Sequence, residues 1–337
     1  MQGRRHNMED CFSIHNNIGH ELGIEYYAVF DGHGGPNAAL YADKEIFDSI
    51  VKRIKNHVYK NNDNDDDKLP LQSCTMNASL ARNSDKNTCA KNNRFETLTM
   101  STMKTILNDE VIDVDKRLLE TFQRRSDISG STALIAIRLL HTNKLLVANV
   151  GDSRGILCDS KGATIPLSFD HKPYQLKEYR RILEAGGYIS LKGVYRVNGI
   201  LAISRALGDY PLKDNRLIIP DPDILSFDLR ELKPKFMIMA SDDHHMIRMI
   251  FSSSSSQSSI ALAIAKKLAK ESYNRESYDN ITVIVVLFDE NYDVCSKDSV
   301  SLSSSSSLIK KSSPIKKKFS SNQQESSSSK PAIHEES

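Results

Sequence analysis

The apolar positions of this chain follow two rhythms. Tyr26 to Phe30 is a short apolar and aromatic run closed by Asp31-Gly32, the pattern of a buried strand entering a tight turn. Pro36 suits the first turn of a helix. Beyond it Ala39, Ala42, Ile46, Ile50, Ile54 and Val58 recur every three or four residues and predict one apolar stripe. Met103, Ile106, Leu107, Val111, Val114, Leu118 and Phe122 predict a second helix, with order returning near Thr97. Three β-type runs follow, STALIAIRL, KLLVANVG and SRGILCD, and their polar or glycine turns make them read as antiparallel neighbours. A helix is predicted over 175–185, stopped by Gly186-Gly187. The strands FMIMAS (236–241) and ITVIVVLF (281–288) then flank a helical SSIALAIAKKLAKESYN.

Two stretches break these rhythms. Residues 61–94 shift to Asn, Asp, Lys and Ser and read as a solvated insertion without a core of its own. After 291 the chain is Ser-rich with a short basic run, KKSSPIKKKF. The expectation is a folded domain over 1–290 and a disordered tail over 291–337, with phosphorylation or nuclear import as the tail's alternative uses.

Composition narrows the partners. A chain of 337 residues has ample material for a buried core, and a formal net charge of +2 gives no reason to expect nucleic acid or a membrane surface. Five cysteines without CxxC pairing point to free thiols in a reducing compartment. No apolar run approaches a membrane-spanning length. A cytoplasmic protein is expected, with the nucleus as the other compartment; membrane association would require an anchor upstream of the first residue.

Acidic residues recur where apolar runs finish or begin: Asp31 after AVF, Asp152 after ANVG, Asp242 after MIMAS, Asp279 before NITVIVV. Carboxylates that converge repel one another unless cations neutralise them. Hard oxygen donors without a Cys/His pattern suit Mg²⁺ or Mn²⁺ rather than Zn²⁺. Any one of these aspartates alone reads as an ordinary turn residue.

The wording around them is more specific. RRHNMED, VFDGHGG, SGSTA, VANVGDSRG, DHKP, AGGYIS, LAISRALGD, IPDPDI and DNITVIVV occur in one order, and the series resembles the metal-dependent protein Ser/Thr phosphatases of the type 2C family over nearly all of residues 2–290. The resemblance implies an α+β fold, a four-layer α-β-β-α sandwich of two antiparallel sheets flanked by helices. It implies a usually monomeric enzyme that hydrolyses phosphoserine and phosphothreonine in phosphoproteins, with water activated between two Mg²⁺ or Mn²⁺ ions. By the same resemblance Glu9, Asp31, the Gly32 carbonyl, Asp242 and Asp279 are metal ligands, with Asp31 bridging and Asp10 standing behind them. Asp152 matches a ligand to a weaker third ion. Arg5 matches the arginine that holds the substrate phosphate, and its planar fork suits two phosphate oxygens. His33 matches the general acid towards the leaving oxygen, and imidazole has the right pKa range for that work. Arg205 and Asp209 of LAISRALGD read as a local ion pair with no catalytic part.

One patch departs from the family's pattern. After Asp242 the chain reads DHHMIRMIF, with Asp243 where a turn glycine is expected, and the whole chain has no Trp. A second carboxylate for the third ion is missing there. The alternative function is a phosphatase-like protein that binds phosphoproteins without turnover.

Overall fold

Alternation along the strands decides the layers. The computed structural model describes residues 1–18, 22–60, 98–241 and 257–288. The 61–94 insertion, the altered stretch after Ser241 and the tail beyond 291 lie outside the described residues. The first part of the chain runs β1 (Cys11–Ile18), β2 (Ile24–Phe30), β3 (Gly32–His33), α1 (Asn37–Lys60), α2 (Met100–Arg125), β4 (Gly130–Ser131), β5 (Ala133–Leu139), β6 (Lys144–Val150), β7 (Arg154–Cys158) and β8 (Thr164–Pro166). It continues α3 (Leu176–Glu184), β9 (Ile189–Lys192), β10 (Val194–Val197), β11 (Leu207–Gly208), α4 (Tyr210–Lys213), β12 (Asp223–Asp228), α5 (Leu229–Leu232), β13 (Phe236–Ala240), α6 (Gln257–Asn274) and β14 (Val283–Leu287).

One sheet has the order β1-β2-β5-β6-β12 and another β14-β13-β7-β8. Every pairing within these two sheets is antiparallel. On β2, Tyr26, Ala28 and Phe30 face the helices, where they meet the Ala39–Val58 stripe of α1 and Met103, Leu107, Val111 and Val114 of α2. The alternate residues Tyr27 and Val29 turn inward with Leu134, Ala136, Leu145 and Val147, and meet Leu157, Met237, Met239, Ile284 and Val286 of the second sheet. On that sheet's far face Ile156, Ile238, Ala240 and Val285 pack on Ala261 and Leu268 of α6. A period of two along each strand therefore builds a helix–sheet–sheet–helix stack, the predicted sandwich. Among the described residues no helix is long and apolar enough to cross a membrane.

Two elements differ from the sequence reading. SRGILCD, expected beside KLLVANVG, becomes β7 of the other sheet, where it pairs with β13 and β8. The break lies at Gly151, which adopts φ +103° and gives its amide to His171 Nδ1 at 3.0 Å rather than to a neighbouring strand. CFSIHNNI forms β1, which the hydrophobic pattern did not announce. Two of its helix-facing residues are polar: Ser13 hydrogen-bonds Asp43, and His15 stacks on Phe47 with ring centroids 3.6 Å apart.

Beside the sandwich, α3 and the β9–β10 hairpin share a small apolar cluster around Ile182, Val197 and Ile203. A buried ionic network reinforces it. Arg205 donates to Glu178 Oε1 through Nη2 at 2.6 Å and Nε at 3.1 Å, and to Asp223 Oδ1 at 3.0 Å. Arg181 donates to Glu178 Oε2 at 3.0 Å and to the Ser204 carbonyl at 2.8 Å. Burial works against the charge on Glu178, but Arg205 and Arg181 outweigh it and hold the carboxyl below its usual pKa. A depressed carboxylate contributes stability above its unfolded pKa and loses it as pH falls through the folded value. Removing one partner of such a pair strands the other. Arg205→Ala is therefore expected to cost about 3–5 kcal/mol in urea unfolding at neutral pH, and to flatten the wild-type loss of stability below about pH 4. A cost under about 1 kcal/mol, the size of an exposed pair, would show that the network is not a structural anchor.

Candidate active site

The end of β2 is held before any side chain acts. Asp31 gives its amide to Thr132 Oγ1 at 3.1 Å and receives the Thr132 amide on its carbonyl at 2.9 Å. Thr132 Oγ1 in turn lies 2.7 Å from the buried Ser153 hydroxyl. The SGSTA motif thus clamps Asp31 from both sides of its peptide, and the carboxylate stands against Asp10. Gly32 follows with its Cα close to the Glu9 carbonyl, where a side chain would collide.

The N-terminal segment is fastened by Asn280. Its Oδ1 accepts the Glu9 amide at 2.7 Å, and its Nδ2 donates to the carbonyls of Gln2 at 2.8 Å and Asn7 at 2.9 Å. Thr282, on the same strand approach, donates to Asp10 Oδ2 at 2.7 Å and exchanges hydrogen bonds with Ser241. Burial raises the Asp10 carboxyl above its usual pKa, the Thr282 and Ser241 hydroxyls draw it down, and Asp279 pushes it up again. Asp242 lies outside the described residues; Ser241 before it is buried beside Asp10 and Thr282.

Arg5 faces this group. Its Nη2 donates to Asp279 Oδ2 at 2.7 Å, and with Glu9 and Asp31 also in electrostatic range the guanidinium is held in its charged form. Glu9 Oε2 accepts the Gly35 amide at 3.2 Å. Arg4 points elsewhere, its guanidinium 4.8 Å from the Tyr273 ring centroid. Asp152 is paired with Lys172 of DHKP. The structure therefore pairs Arg5 with Asp279, keeps Glu9 and Asp31 in electrostatic range of that guanidinium, and sets Asp152 in an ion pair with Lys172. Among the described residues no group of three or more His, Cys, Asp or Glu side chains is placed to hold a metal ion by itself.

His33 stands at the next turn of chain, on β3. Its Nε2 lies 2.8 and 3.0 Å from the two carboxylate oxygens of Asp209. Burial opposes the charged ring, but Asp209 prevails, with Asp152 and Glu9 adding to it, and the His33 pKa lies above its ordinary value. The expected pairing of Arg205 with Asp209 is not what forms. Arg205 points into the Glu178–Asp223 network, and Asp209 turns the other way because its φ of +52° places it in the left-handed region. The free cysteines described, Cys11 and Cys158, are no nucleophiles. Burial, then Asp43 and Asp10, push the Cys11 thiol up to about 12, and burial raises Cys158 as well.

A family model described as Protein phosphatase 2C matches residues 1–73 and 67–281. Protein phosphatase 1L of Bos taurus is 40% identical over 294 residues, which cover 86% of this chain and 71% of the relative. Probable protein phosphatase 2C 59 of Oryza sativa subsp. japonica is 32% identical over 295 residues, 85% of this chain and 73% of the relative. The chain belongs to the protein phosphatase 2C family. It is a metal-dependent protein serine/threonine phosphatase, and its substrates are phosphoproteins. A serine-threonine phosphatase 2C structure from Toxoplasma gondii shares the fold, with a TM-score of 0.61 at 19% identity over 85% of this chain and 92% of that one.

The carboxylates in electrostatic range of Arg5 are hard oxygen donors, the chemical type that divalent Mg²⁺ or Mn²⁺ takes. Two contacts in this neighbourhood escaped the sequence reading. Asp209 carried the same signal as the others, an aspartate ending a short apolar run, and Asn280 sat inside a motif read only for Asp279. Gly130 on β4 is the tightest spot, because a β-carbon there would strike both the Asp209 carboxylate and the His33 ring. Gly130→Ala is expected to keep the circular dichroism spectrum and to lower phosphopeptide turnover on the order of a hundredfold. Unchanged turnover would show that the His33–Asp209 pair has room to spare.

Proposed function

We propose that this phosphatase holds two divalent ions, Mg²⁺ or Mn²⁺, through Glu9, Asp31, the Gly32 carbonyl, Asp279 and Asp242, with Asp152 serving a weaker third once it leaves Lys172. When bound, such ions supply an activated water and offset charge on the phosphoryl group. The chain's own residues do the remainder. Arg5 presents its fork to two oxygens of the substrate phosphate, exchanging Asp279 for the incoming dianion. His33 donates a proton to the serine or threonine oxygen as the P–O bond breaks. Asp10 stays behind the ligands and fixes Asp31 through its own hydrogen bonds to Thr282 and Ser241.

The observation that carries this reading is the gathering of Glu9, Asp31 and Asp279 about the Arg5 guanidinium, with His33 two residues along from Asp31. The reading takes the working unit to be a monomer. The free thiols of Cys11 and Cys158 support a reducing compartment, cytoplasm or nucleus.

Wild type is expected to hydrolyse a phosphothreonine peptide with Mn²⁺ and to stop when the metal is chelated. Mn²⁺ should also raise its melting temperature, since a ligand that binds only the folded state stabilises it. Asp31→Ala should lose the Mn²⁺-induced shift and reduce turnover by about three orders of magnitude or more. Metal-dependent turnover that survives in Asp31→Ala would remove Asp31 from the centre. Metal binding without turnover in wild type would favour the binding-only alternative.

A further inference from the structure

The His33–Asp209 contact is built with more care than the fold requires. The short sheet β11-β4-β3 is already joined by backbone pairing of Gly208 with Gly130 and of His33 with Gly130. The side-chain bridge between β3 and the turn after β11 comes in addition to that pairing. Yet the turn is pinned from several directions. The Asp209 amide donates to the Ser129 carbonyl at 3.1 Å, and the Gly208 amide donates to Asp115 Oδ1 at 2.8 Å. Asp115, buried on α2, receives Lys213 Nζ on its other oxygen at 2.8 Å, and Lys213 also reaches the Ala206 carbonyl at 2.7 Å. Asp209 itself is 6% exposed and holds the left-handed backbone that non-glycine residues seldom adopt. Its carboxylate meets His33 without a side chain intervening, because position 130 is glycine.

The chemistry of the contact fixes the ring. An ionised carboxylate only accepts hydrogen bonds, and both Asp209 oxygens lie within 3.0 Å of the same ring nitrogen. Nε2 therefore carries a hydrogen whether the ring is neutral or charged, and Nδ1 is the nitrogen that loads and unloads a proton. We propose that Asp209 is a positioning residue for catalysis, orienting His33 so that Nδ1–H faces the leaving oxygen and keeping Nε2 protonated throughout. The inference rests on the reading of His33 as proton donor. In the step, a water oxygen bonds to phosphorus and releases its proton to solvent. The P–O bond to serine or threonine breaks with its electron pair on that oxygen, which takes the Nδ1 proton. Neutral His33, still donating Nε2–H to Asp209, regains a proton from water before the next turnover.

Leaving-group dependence tests this, because only a poor leaving group needs the proton. Asp209→Asn is the informative variant, since asparagine tolerates the left-handed backbone and keeps the shape of the side chain. With Mn²⁺ present, D209N should lower phosphothreonine-peptide turnover on the order of a hundredfold while p-nitrophenyl phosphate turnover falls by less than about threefold. His33→Ala should give the same split, and the double variant should be no slower than His33→Ala alone. Equal losses on both substrates in D209N, or a further drop in the double variant, would overturn the assignment. If His33→Ala splits the substrates and D209N does not, Asp209 alone loses its role. If His33→Ala lowers both substrates equally, the proton-donor reading falls and this inference with it. Should D209N fail to fold, nitrogen NMR of ¹⁵N-labelled histidine in wild type decides the matter. Neutral His33 should carry its hydrogen on Nε2, and a hydrogen on Nδ1 instead would overturn the proposal.

Discussion

Asp279 is hydrogen-bonded to the Arg5 guanidinium with Glu9 and Asp31 in electrostatic range of it, and like charges in one neighbourhood push one another apart. What resists the repulsion is the backbone. Asn280 accepts the Glu9 amide and donates to two carbonyls of the N-terminal segment, while Thr132 accepts the Asp31 amide on its hydroxyl and donates its own amide to the Asp31 carbonyl. These neutral hydrogen bonds are modest one by one, about 1 kcal/mol each, but buried ones are costly to break and hold with little play. The charged groups inherit their positions from the neutral ones. Everything assigned to the site depends on that order of construction.

The two sheets depend on a related device. Gly151 ends β6, and its amide is taken by His171 Nδ1, whose Nε2 meets Asp223 at 3.2 Å. One histidine thus joins the point where the chain leaves the first sheet to the strand at that sheet's edge, β12. Lys172 beside it pairs with Asp152. The DHKP motif, distant in sequence from either sheet's centre, closes the loop through which the chain passes from one layer to the other. Glu178 and Arg205 extend the same network outward to α3, so the peripheral module is tied to the sandwich by charge as much as by apolar contact.

Long periodic runs were readable from sequence because burial dictates them. The α1 stripe, the α2 stripe and the alternation on β2, β5, β6, β13 and β14 all follow from which face is dry. β1 was not readable, because its helix-facing side carries Ser13 and His15, and partners on α1 rather than hydrophobicity satisfy them. The placement of β7 was misread because sheet membership is set by a turn at Gly151 whose partner lies twenty residues away in sequence. At the site, Glu9, Asp31, Asp279, Arg5 and His33 were legible as candidates through their motifs. Asp209 was assigned to the wrong partner because a sequence shows Arg205 nearby but not the sign of φ at residue 209. A side chain's direction there is a property of the backbone, and spacing alone does not encode it.

The link from Asp115 to Gly208 has a bearing on how the chain tolerates length. Asp115 sits well inside α2, between the buried residues Val111, Val114 and Leu118, and not in a terminal turn that frays. The helix is therefore indexed to the site from within, by one carboxylate against one amide and one ammonium. The stretch of chain that precedes α2 does not set that index, and closing a longer connection adds only about 0.6 kcal/mol for each doubling of its length. An Asn- and Asp-rich segment of arbitrary extent can be carried between α1 and α2 without the turn at Gly208 registering it. Length at that point is free to drift, while the identity of residue 115 is not.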